Sequence, residues 1–160
     1  MSNRTIEIAP VLKTLEVNAP PDRAFEIFTA FRWWPKGHSI LASKSPQVAV
    51  TVEPRVGGRW YERGQDGSEC DWGRVVVWDP PRRAVFTWQL NSSFQFDTKI
   101  ATEVEVTFAA LAGNKTRVVM EHRLFEKYGE EGAKIRAAVD SPDGWAGLLK
   151  MFAATADGAT

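Results

Sequence analysis

Residues 54–88 read PRVGGRWYERGQDGSECDWGRVVVWDPPRRAVFTW, and the predicted architecture is built around them. It contains four of the seven tryptophans of the chain. Gly57-Gly58 predicts a turn because glycine adopts positive φ at little cost, and Asp66-Gly67 is typical of a tight hairpin. Asp79-Pro80-Pro81 ends the strand that follows. The stretch therefore predicts three consecutive antiparallel strands whose large aromatic side chains need cover. Those strands are residues 59–63, 71–78 and 84–90.

Further strands are predicted on both sides of this stretch. They are residues 11–18 and 45–53 before it, and residues 102–109 and 116–124 after it. In the second of these, Val48, Val50 and Val52 alternate toward one side, as in a half-buried strand. Six sequential strands joined by short turns form an antiparallel meander, and its apolar face must be covered by another element.

Helical periodicity precedes the meander and returns at the end of the chain. A first helix over about residues 21–32 should end there, because Pro35 disfavours helical geometry at the residue before it. A short helix is predicted over residues 130–139. Ser141-Pro142 suits the start of a final helix, which is expected to fray from residue 155. The core-facing stripe of this final helix is Trp145, Leu148, Leu149 and Phe152.

Composition limits the class of protein. The chain of 160 residues, with 44% hydrophobic and 25% charged residues, predicts one soluble domain over residues 1–160 with a core at about 11–156. Twenty basic and twenty acidic residues cancel without a run of like charge, which argues against nucleic-acid and membrane-surface partners. A lone cysteine, Cys70, and an N-terminus without the pattern of a signal peptide predict a cytoplasmic protein.

Several motifs, taken in order, resemble the family of activators of heat-shock protein 90 ATPase, in its C-terminal-domain type, within the START-like (SRPBCC) superfamily. The motifs are APPDRAF (19–25), PRVGGRW (54–60), GRVVVWDPPRR (73–83), FTW (86–88), TRVVMEH (116–122) and GW (144–145). The resemblance implies an α+β helix-grip fold. In that fold a curved antiparallel sheet of about seven strands wraps a long C-terminal helix, short helices lie between strands one and two, and an apolar cavity is common. It implies no shared reaction, because members include ligand binders, transport proteins, cyclase-like enzymes and the chaperone activator.

The aromatic residues of the sheet and the final helix are predicted to wall such a cavity, although each taken singly also suits a packed core. Trp33 and Trp34 cannot share one helix stripe, so one of them is expected to guard a cavity mouth or to mark a homodimer patch. The predicted ligand-binding residues are Trp33, Trp34, Trp60, Glu62, Trp72, Arg74, Phe86, Trp88, Val106, Met120, His122, Trp145, Leu149 and Phe152.

The sequence allows more than one interpretation of the polar residues in this set. His122 faces the interior by alternation, either as a cavity group that binds a ligand or moves a proton, or as a hydrogen-bonded core histidine. Glu62 shares the Trp60 face and is expected to pair with His122 or with an inward Arg74, because an unpaired buried charge is costly. Alternation over residues 71–78 leaves both faces of that strand open. His38 is expected to be solvated.

No nucleophile elbow, phosphate-binding loop or dinucleotide fingerprint occurs in the sequence, and no cofactor is predicted. Two histidines and one cysteine far apart argue against a zinc site, and Cys70 lies between acidic residues that disfavour its thiolate. The leading hypothesis is a module that binds a small hydrophobic or aromatic molecule. One alternative is an enzyme of cyclase, hydratase or hydrolase type that uses His122 with Glu62 or Arg74. A chaperone partner is a further alternative, motivated by the resemblance alone and weakened because we expect no second domain.

Overall fold

The computed structural model describes residues 8–35 and 37–158. Seven antiparallel strands form one sheet in the order β1-β7-β6-β5-β4-β3-β2. The strands are β1 (Val11–Val17), β2 (Gln47–Val52), β3 (Arg59–Gly64), β4 (Glu69–Asp79), β5 (Arg83–Trp88), β6 (Thr102–Leu111) and β7 (Lys115–Arg123). The predicted meander is confirmed, and β1 extends it by pairing with β7.

The helices are α1 (Pro21–Ala30), a 3₁₀ segment (Phe125–Glu131), α2 (Gly132–Asp140) and α3 (Trp145–Asp157). The stripe predicted for the final helix is buried at all four positions. Phe152 of α3 packs edge-on against Phe28 of α1, with ring centroids 5.0 Å apart. The predicted helix-grip fold is therefore confirmed. Within the described residues no helix has the length and apolar character needed to cross a membrane.

Two irregularities decide which residues of β4 face the core. The β3–β4 pairing shifts register between Trp60 and Tyr61, and the β4–β5 pairing shifts between Val75 and Val77. Trp72 and Val75 are consequently both buried although they are three residues apart, and Arg74 between them is exposed. Bulges of this kind break the two-residue period, which is why alternation alone left both faces open.

A third register shift overturns the predicted orientation at the start of β2, whereas Val50 and Val52 face the core as predicted. Val48 is 46% exposed and Gln47 is buried, the reverse of the prediction. The pairing of β2 with β3 is irregular between Gln47 and Ala49, so the alternation changes phase there. The shift turns the Gln47 amide toward the interior, where it contacts Glu62.

The helix ends differ from the predicted ones. The first helix ends at Ala30, and Phe31 closes it in the left-handed region at φ 53°. Ser141 does not begin the final helix, because its hydroxyl donates back to the Ala138 carbonyl at the end of α2. The fraying predicted from residue 155 is wrong as far as Asp157, because α3 continues there and the Asp157 carboxylate accepts from the backbone N–H of Asn18 at 2.8 Å. Residues 159–160 of that prediction, and residues 1–7, lie outside the described residues.

Two glycines of the recognised motifs are required by close backbone approach. A Cβ atom at Gly73 would lie 1.8 Å from the Thr87 carbonyl oxygen across the β4–β5 pairing. A Cβ atom at Gly144 would lie 2.2 Å from the Val139 carbonyl oxygen, where the chain passes from α2 into α3. Any larger residue would push these segments apart, so both glycines help to place the helix against the sheet.

Candidate functional site

A pocket of about 270 Å³ opens between the final helix, the segment that follows α1 and the strands β4 and β5. Its wall is almost entirely apolar. The lining residues are Trp34, His38, Ser39, Ile40, Trp72, Trp88, Leu90, Phe94, Ala138, Val139, Asp143, Gly144, Trp145 and Leu148. A larger groove of about 520 Å³ runs along β2, but Phe31 is its single aromatic residue. The aromatic pocket is therefore the better candidate for a ligand site.

Four tryptophans from four different segments form its walls. Trp34 is tilted against Trp72 with ring centroids 4.9 Å apart, and Trp88 against Trp145 at 5.7 Å. Trp34 and Trp145 meet edge-on at 6.3 Å. Indole hydrogen bonds hold three of these rings: Trp34 Nε1 donates to the His38 carbonyl, Trp72 Nε1 to Glu62 and Trp145 Nε1 to His122. The result is a set of fixed indole faces suited to a flat, apolar molecule.

His38 connects the two segments that flank the pocket. Its Nε2 lies 3.0 Å from the Asp143 carbonyl oxygen, which accepts a hydrogen bond from the ring. The residue is exposed, as predicted, yet the contact joins the segment after α1 to the α2–α3 connection. His38 therefore helps to define the width of the opening.

Glu62 is fully buried behind this wall. Its carboxylate accepts hydrogen bonds from the Ser39 hydroxyl at 2.5 Å and from the Ile40 amide at 2.9 Å. The Trp72 indole at 2.8 Å and the Gln47 amide at 3.2 Å complete a set of four neutral donors. Buried polar groups require such partners. Glu62 thus holds three residues of the pocket wall from behind.

The predicted pairing of Glu62 with His122 or Arg74 is wrong. Its partners come from β2, β4 and the segment after α1. Arg74 points outward, with 46% of its side chain exposed, and lies 3.5 Å from the Asp71 carboxylate. The bulged strand β4 turns Arg74 away from the interior and turns Trp72 toward it, so Glu62 meets an indole donor instead of a guanidinium.

His122 is a core residue and does not line the pocket. Trp145 Nε1 donates to its Nδ1 at 3.0 Å, so the neutral ring carries its proton on Nε2. Nε2 then donates to the Thr102 hydroxyl at 2.9 Å, and that hydroxyl donates to the Trp88 carbonyl at 2.9 Å. Burial lowers the pKa of His122 to about 3. Both ring nitrogens are used within the protein, which favours the core alternative and leaves no nitrogen for a ligand.

His122→Gln is expected to reduce the acid sensitivity of the fold. Folding lowers the pKa of His122 from 6.5 to about 3, so the unfolded chain binds one more proton between these values. The stabilising contribution is complete above pH 6.5 and is lost as the pH falls toward 3. Between about pH 7.5 and about pH 5 this one group should remove about 2 kcal/mol from the free energy of unfolding.

Urea unfolding of the wild type and of His122→Gln at both pH values measures this difference. The variant is expected to lose less stability on acidification than the wild type, even though it starts from a lower value. Equal losses in the two proteins would show that His122 is not held neutral by the fold.

Tyr128 anchors Leu90, one of the residues that line the pocket. Its hydroxyl donates to the Leu90 carbonyl at 2.5 Å. Burial raises the pKa of Tyr128 to about 12, against a smaller opposing effect of the neighbouring Thr102 and Trp88 side chains. Leu90 and Trp88, which both line the pocket, are therefore anchored through their backbone carbonyls to buried hydroxyl groups.

The structure brings together four of the predicted binding residues and separates the others. Trp34, Trp72, Trp88 and Trp145 line the pocket. The remaining apolar residues of the prediction are packed in the core outside it: Trp33, Trp60, Phe86, Val106, Met120, Leu149 and Phe152. Trp33 and Trp34 are both buried, so they do not form the exposed patch that a dimer contact at this pair requires.

Sequence reasoning missed the residues that the pocket takes from irregular segments. Ser39 and Ile40 follow the Trp33-Trp34-Pro35 segment, where no periodicity indicates which side chain turns inward. Phe94 offered a signal, since it is an aromatic residue in a polar connection, and it is 39% exposed at the pocket. Ala138 and Val139 of α2 carried no such signal, because the sequence of a short helix does not indicate which of its sides faces a cavity.

Cys70 is a partly buried free cysteine that is poorly suited to act as a nucleophile. Burial, with the charges of Glu62 and Asp71 added, raises the pKa of the Cys70 thiol to about 11, which keeps it protonated near neutral pH. Across residues 8–35 and 37–158 no group of three or more His, Cys, Asp or Glu side chains is arranged to hold a metal ion.

Comparison with known proteins identifies relatives over most of the chain. The family model described as Activator of Hsp90 ATPase homolog 1-like protein matches residues 18–157. A search of curated proteins found no match.

Solved structures add similarity of sequence and of fold. A protein described as the anthrahydroquino-gama-pyrone synthase Txn09, complexed with SUM, is 36% identical with a TM-score of 0.63, and the alignment covers 92% of this chain and 97% of that one. CalC from Micromonospora echinospora, described as a self-sacrificing resistance protein, is 31% identical with a TM-score of 0.68 over 93% of this chain and 94% of that one. Ms6760 from Mycobacterium smegmatis, at 20% identity and a TM-score of 0.63 over 94% and 92%, shares the fold.

Proposed function

Because the chain belongs to the Activator of Hsp90 ATPase homolog 1-like family, whose START-like fold supports ligand binding, we propose that it binds a small, flat aromatic molecule in the tryptophan-lined pocket. The observation that carries the proposal is the convergence of Trp34, Trp72, Trp88 and Trp145 on one open volume. A packed core needs no such volume, since protein interiors leave few voids larger than a water molecule.

The size and chemistry of the pocket support a compact ligand. Its volume of about 270 Å³ lies just below the roughly 300–1,000 Å³ of sites for drug-sized molecules. Fixed indole faces stack on aromatic rings in offset or edge-on geometry, and such pairs add to the gain from apolar burial. The few polar groups lie on the segments that carry Ser39 and Asp143, so the ligand is expected to present one polar edge there and apolar faces elsewhere.

Ala138→Phe is expected to block the pocket. Ala138 is an exposed residue of α2 on the pocket wall, and a phenyl ring at this position would occupy the volume that the ligand needs. We expect the affinity for naphthalene and anthraquinone derivatives to fall at least about tenfold, which corresponds to about 1.4 kcal/mol. Quenching of tryptophan fluorescence measures the binding, because four indoles surround the site.

The neighbouring substitution Ala137→Phe is the matched control. Ala137 is also exposed on α2 but does not line the pocket, so this variant should bind like the wild type. Exposed substitutions of this kind change stability by only about 0.5 kcal/mol, and thermal unfolding verifies that both variants are folded. Equal binding by Ala138→Phe and Ala137→Phe would place the ligand elsewhere.

A ring-forming enzyme is the second candidate function. It is favoured by the 36% identity, over 92% of this chain, to a protein described as a synthase. His122 has no free nitrogen for proton transfer in this structure, so a reaction in the pocket would rely on Ser39 and the groups around it. Mass spectrometry of the compounds recovered from the binding experiment tests this: a new product formed by the wild type and by Ala137→Phe, but not by Ala138→Phe, would support catalysis.

A further inference from the structure

We infer that the pocket selects a ligand that presents a hydrogen-bond donor, namely a phenolic or enolic hydroxyl, to Ser39. This inference rests on the proposed function, since it names the chemistry of the ligand bound in the same pocket. Three features of the described residues carry it. The hydroxyl proton of Ser39 is already donated to Glu62, the Glu62 carboxylate accepts four hydrogen bonds, and neighbouring side-chain donors bind protein acceptors.

The hydroxyl proton of Ser39 is already used. A serine hydroxyl has one proton and two lone pairs, and an ionised carboxylate only accepts hydrogen bonds. Ser39 Oγ lies 2.5 Å from Glu62 Oε1, within the range of charge-assisted O–H···O⁻ bonds. The proton therefore lies between these two atoms, and Ser39 has no second proton to offer a ligand.

The Ser39 hydroxyl does not readily turn its proton away from the Glu62 carboxylate. Each oxygen of Glu62 has two donors, with Ser39 and Gln47 at Oε1 and Ile40 and Trp72 at Oε2. Glu62 is fully buried, so no solvent replaces a donor that turns away. Rotating the Ser39 hydroxyl toward the pocket would leave a buried negative charge with one partner fewer. The geometry favours Ser39 as an acceptor.

One lone pair of Ser39 remains for a ligand. The Leu41 amide donates to Ser39 Oγ at 3.3 Å and takes the other. Ser39 itself lines the pocket, so a ligand hydroxyl that donates to it completes a chain of hydrogen bonds ending on the Glu62 carboxylate. Chains that end on a charge strengthen each member.

Apart from the Trp88 indole, the pocket's own indole and imidazole donors are turned toward protein acceptors. The indole groups of Trp34, Trp72 and Trp145 donate to the His38 carbonyl, to Glu62 and to His122. The Trp88 indole nitrogen has no hydrogen-bond partner among the described residues, but it is shielded from solvent. The His38 ring donates to the Asp143 carbonyl. A ligand that carries only acceptors, such as a methyl ether, therefore meets the Ser39 lone pair without a donor in return.

The test compares 2-naphthol with 2-methoxynaphthalene, which differ in the hydroxyl proton and one methyl group. Equilibrium dialysis against the wild type is expected to show about tenfold tighter binding of the naphthol, the size of one net hydrogen bond. Ser39→Ala should bring the ratio close to one by weakening the naphthol alone. Ser43→Ala removes a serine from the same segment that is exposed and outside the pocket wall, and it should keep the wild-type ratio.

Glu62→Gln supplies a second measurement. An amide at this position can donate to Ser39, which frees the serine proton for the ligand, so the naphthol preference should shrink although the serine is retained. Equal binding of the two compounds by the wild type, or a ratio that survives Ser39→Ala, would overturn the inference. If both compounds bind equally and Ala138→Phe blocks them, the inference alone fails. If neither compound binds, the proposed function fails, and this inference fails with it.

Discussion

Glu62→Ala is expected to destabilise the fold by at least about 3 kcal/mol, because each buried donor left without its acceptor costs about 1–3 kcal/mol. The substitution strips the acceptor from four donors at once. Three of them, the Ser39 hydroxyl, the Ile40 amide and the Trp72 indole, belong to residues of the pocket wall. Ligand binding should therefore weaken together with stability, even at temperatures where the variant remains folded.

Urea unfolding of the variant measures the loss, and Glu16→Ala is the matched control. Glu16 lies on β1 with 57% of its side chain exposed and only a 4.0 Å contact to Arg117. Exposed ion pairs contribute about 0–1 kcal/mol, so the control should stay close to the wild type. A loss below about 1 kcal/mol for Glu62→Ala would mean that water or a rearranged segment replaces the carboxylate, and that Glu62 does not hold the pocket wall in place.

Trp145→Ala is expected to cost about 3–5 kcal/mol, the usual range for deleting a buried aromatic side chain. Trp145 is 1% exposed and begins α3, so its removal would enlarge the pocket into the core. The substitution also removes the donor to His122 Nδ1, which leaves a buried acceptor unsatisfied. Affinity for aromatic ligands should fall as well, because one of the four indole walls is lost.

Trp145→Phe separates these contributions. The phenyl ring retains most of the apolar burial while the N–H donor is lost, so the cost should fall to about 1–3 kcal/mol. Met151→Ala, on the same helix but 45% exposed, controls for a general weakening of α3. If Trp145→Phe were as destabilising as Trp145→Ala in thermal or urea unfolding, the hydrogen bond to His122 would dominate over packing.

Glu62 and His122, two of the buried titratable residues, illustrate different ways of keeping a polar group inside a protein. His122 is held neutral, and its two nitrogens are matched by one donor and one acceptor. Glu62 is surrounded by four donors that suit its charged form. Both are joined to pocket tryptophans, Trp145 and Trp72, through indole N–H groups. Both residues therefore orient the indole rings on which the proposed ligand would stack.

The architecture could be predicted from the order of residues. Strands and helices are local, so a period of two along residues 102–109 or the stripe from Trp145 to Phe152 is visible in the order of residues. The covering role of the final helix also followed from the sequence, because a meander with one apolar face requires an apolar partner. The six ordered motifs then predicted the family, and the match over residues 18–157 confirmed it.

Four tryptophans of the pocket were predicted from the sequence, but the tertiary structure was needed to show the other residues that surround it. The pocket is a volume left between segments distant in sequence, and its boundary depends on bulges and irregular segments that follow no period. Three register shifts reversed Val48 and Gln47 and turned Arg74 outward. The hydrogen-bond partners of Glu62 and His122 could not be predicted from the sequence either. A hydrogen bond between side chains is made or lost over changes in distance of a few tenths of an ångström, whereas alternation indicates only the side of a strand.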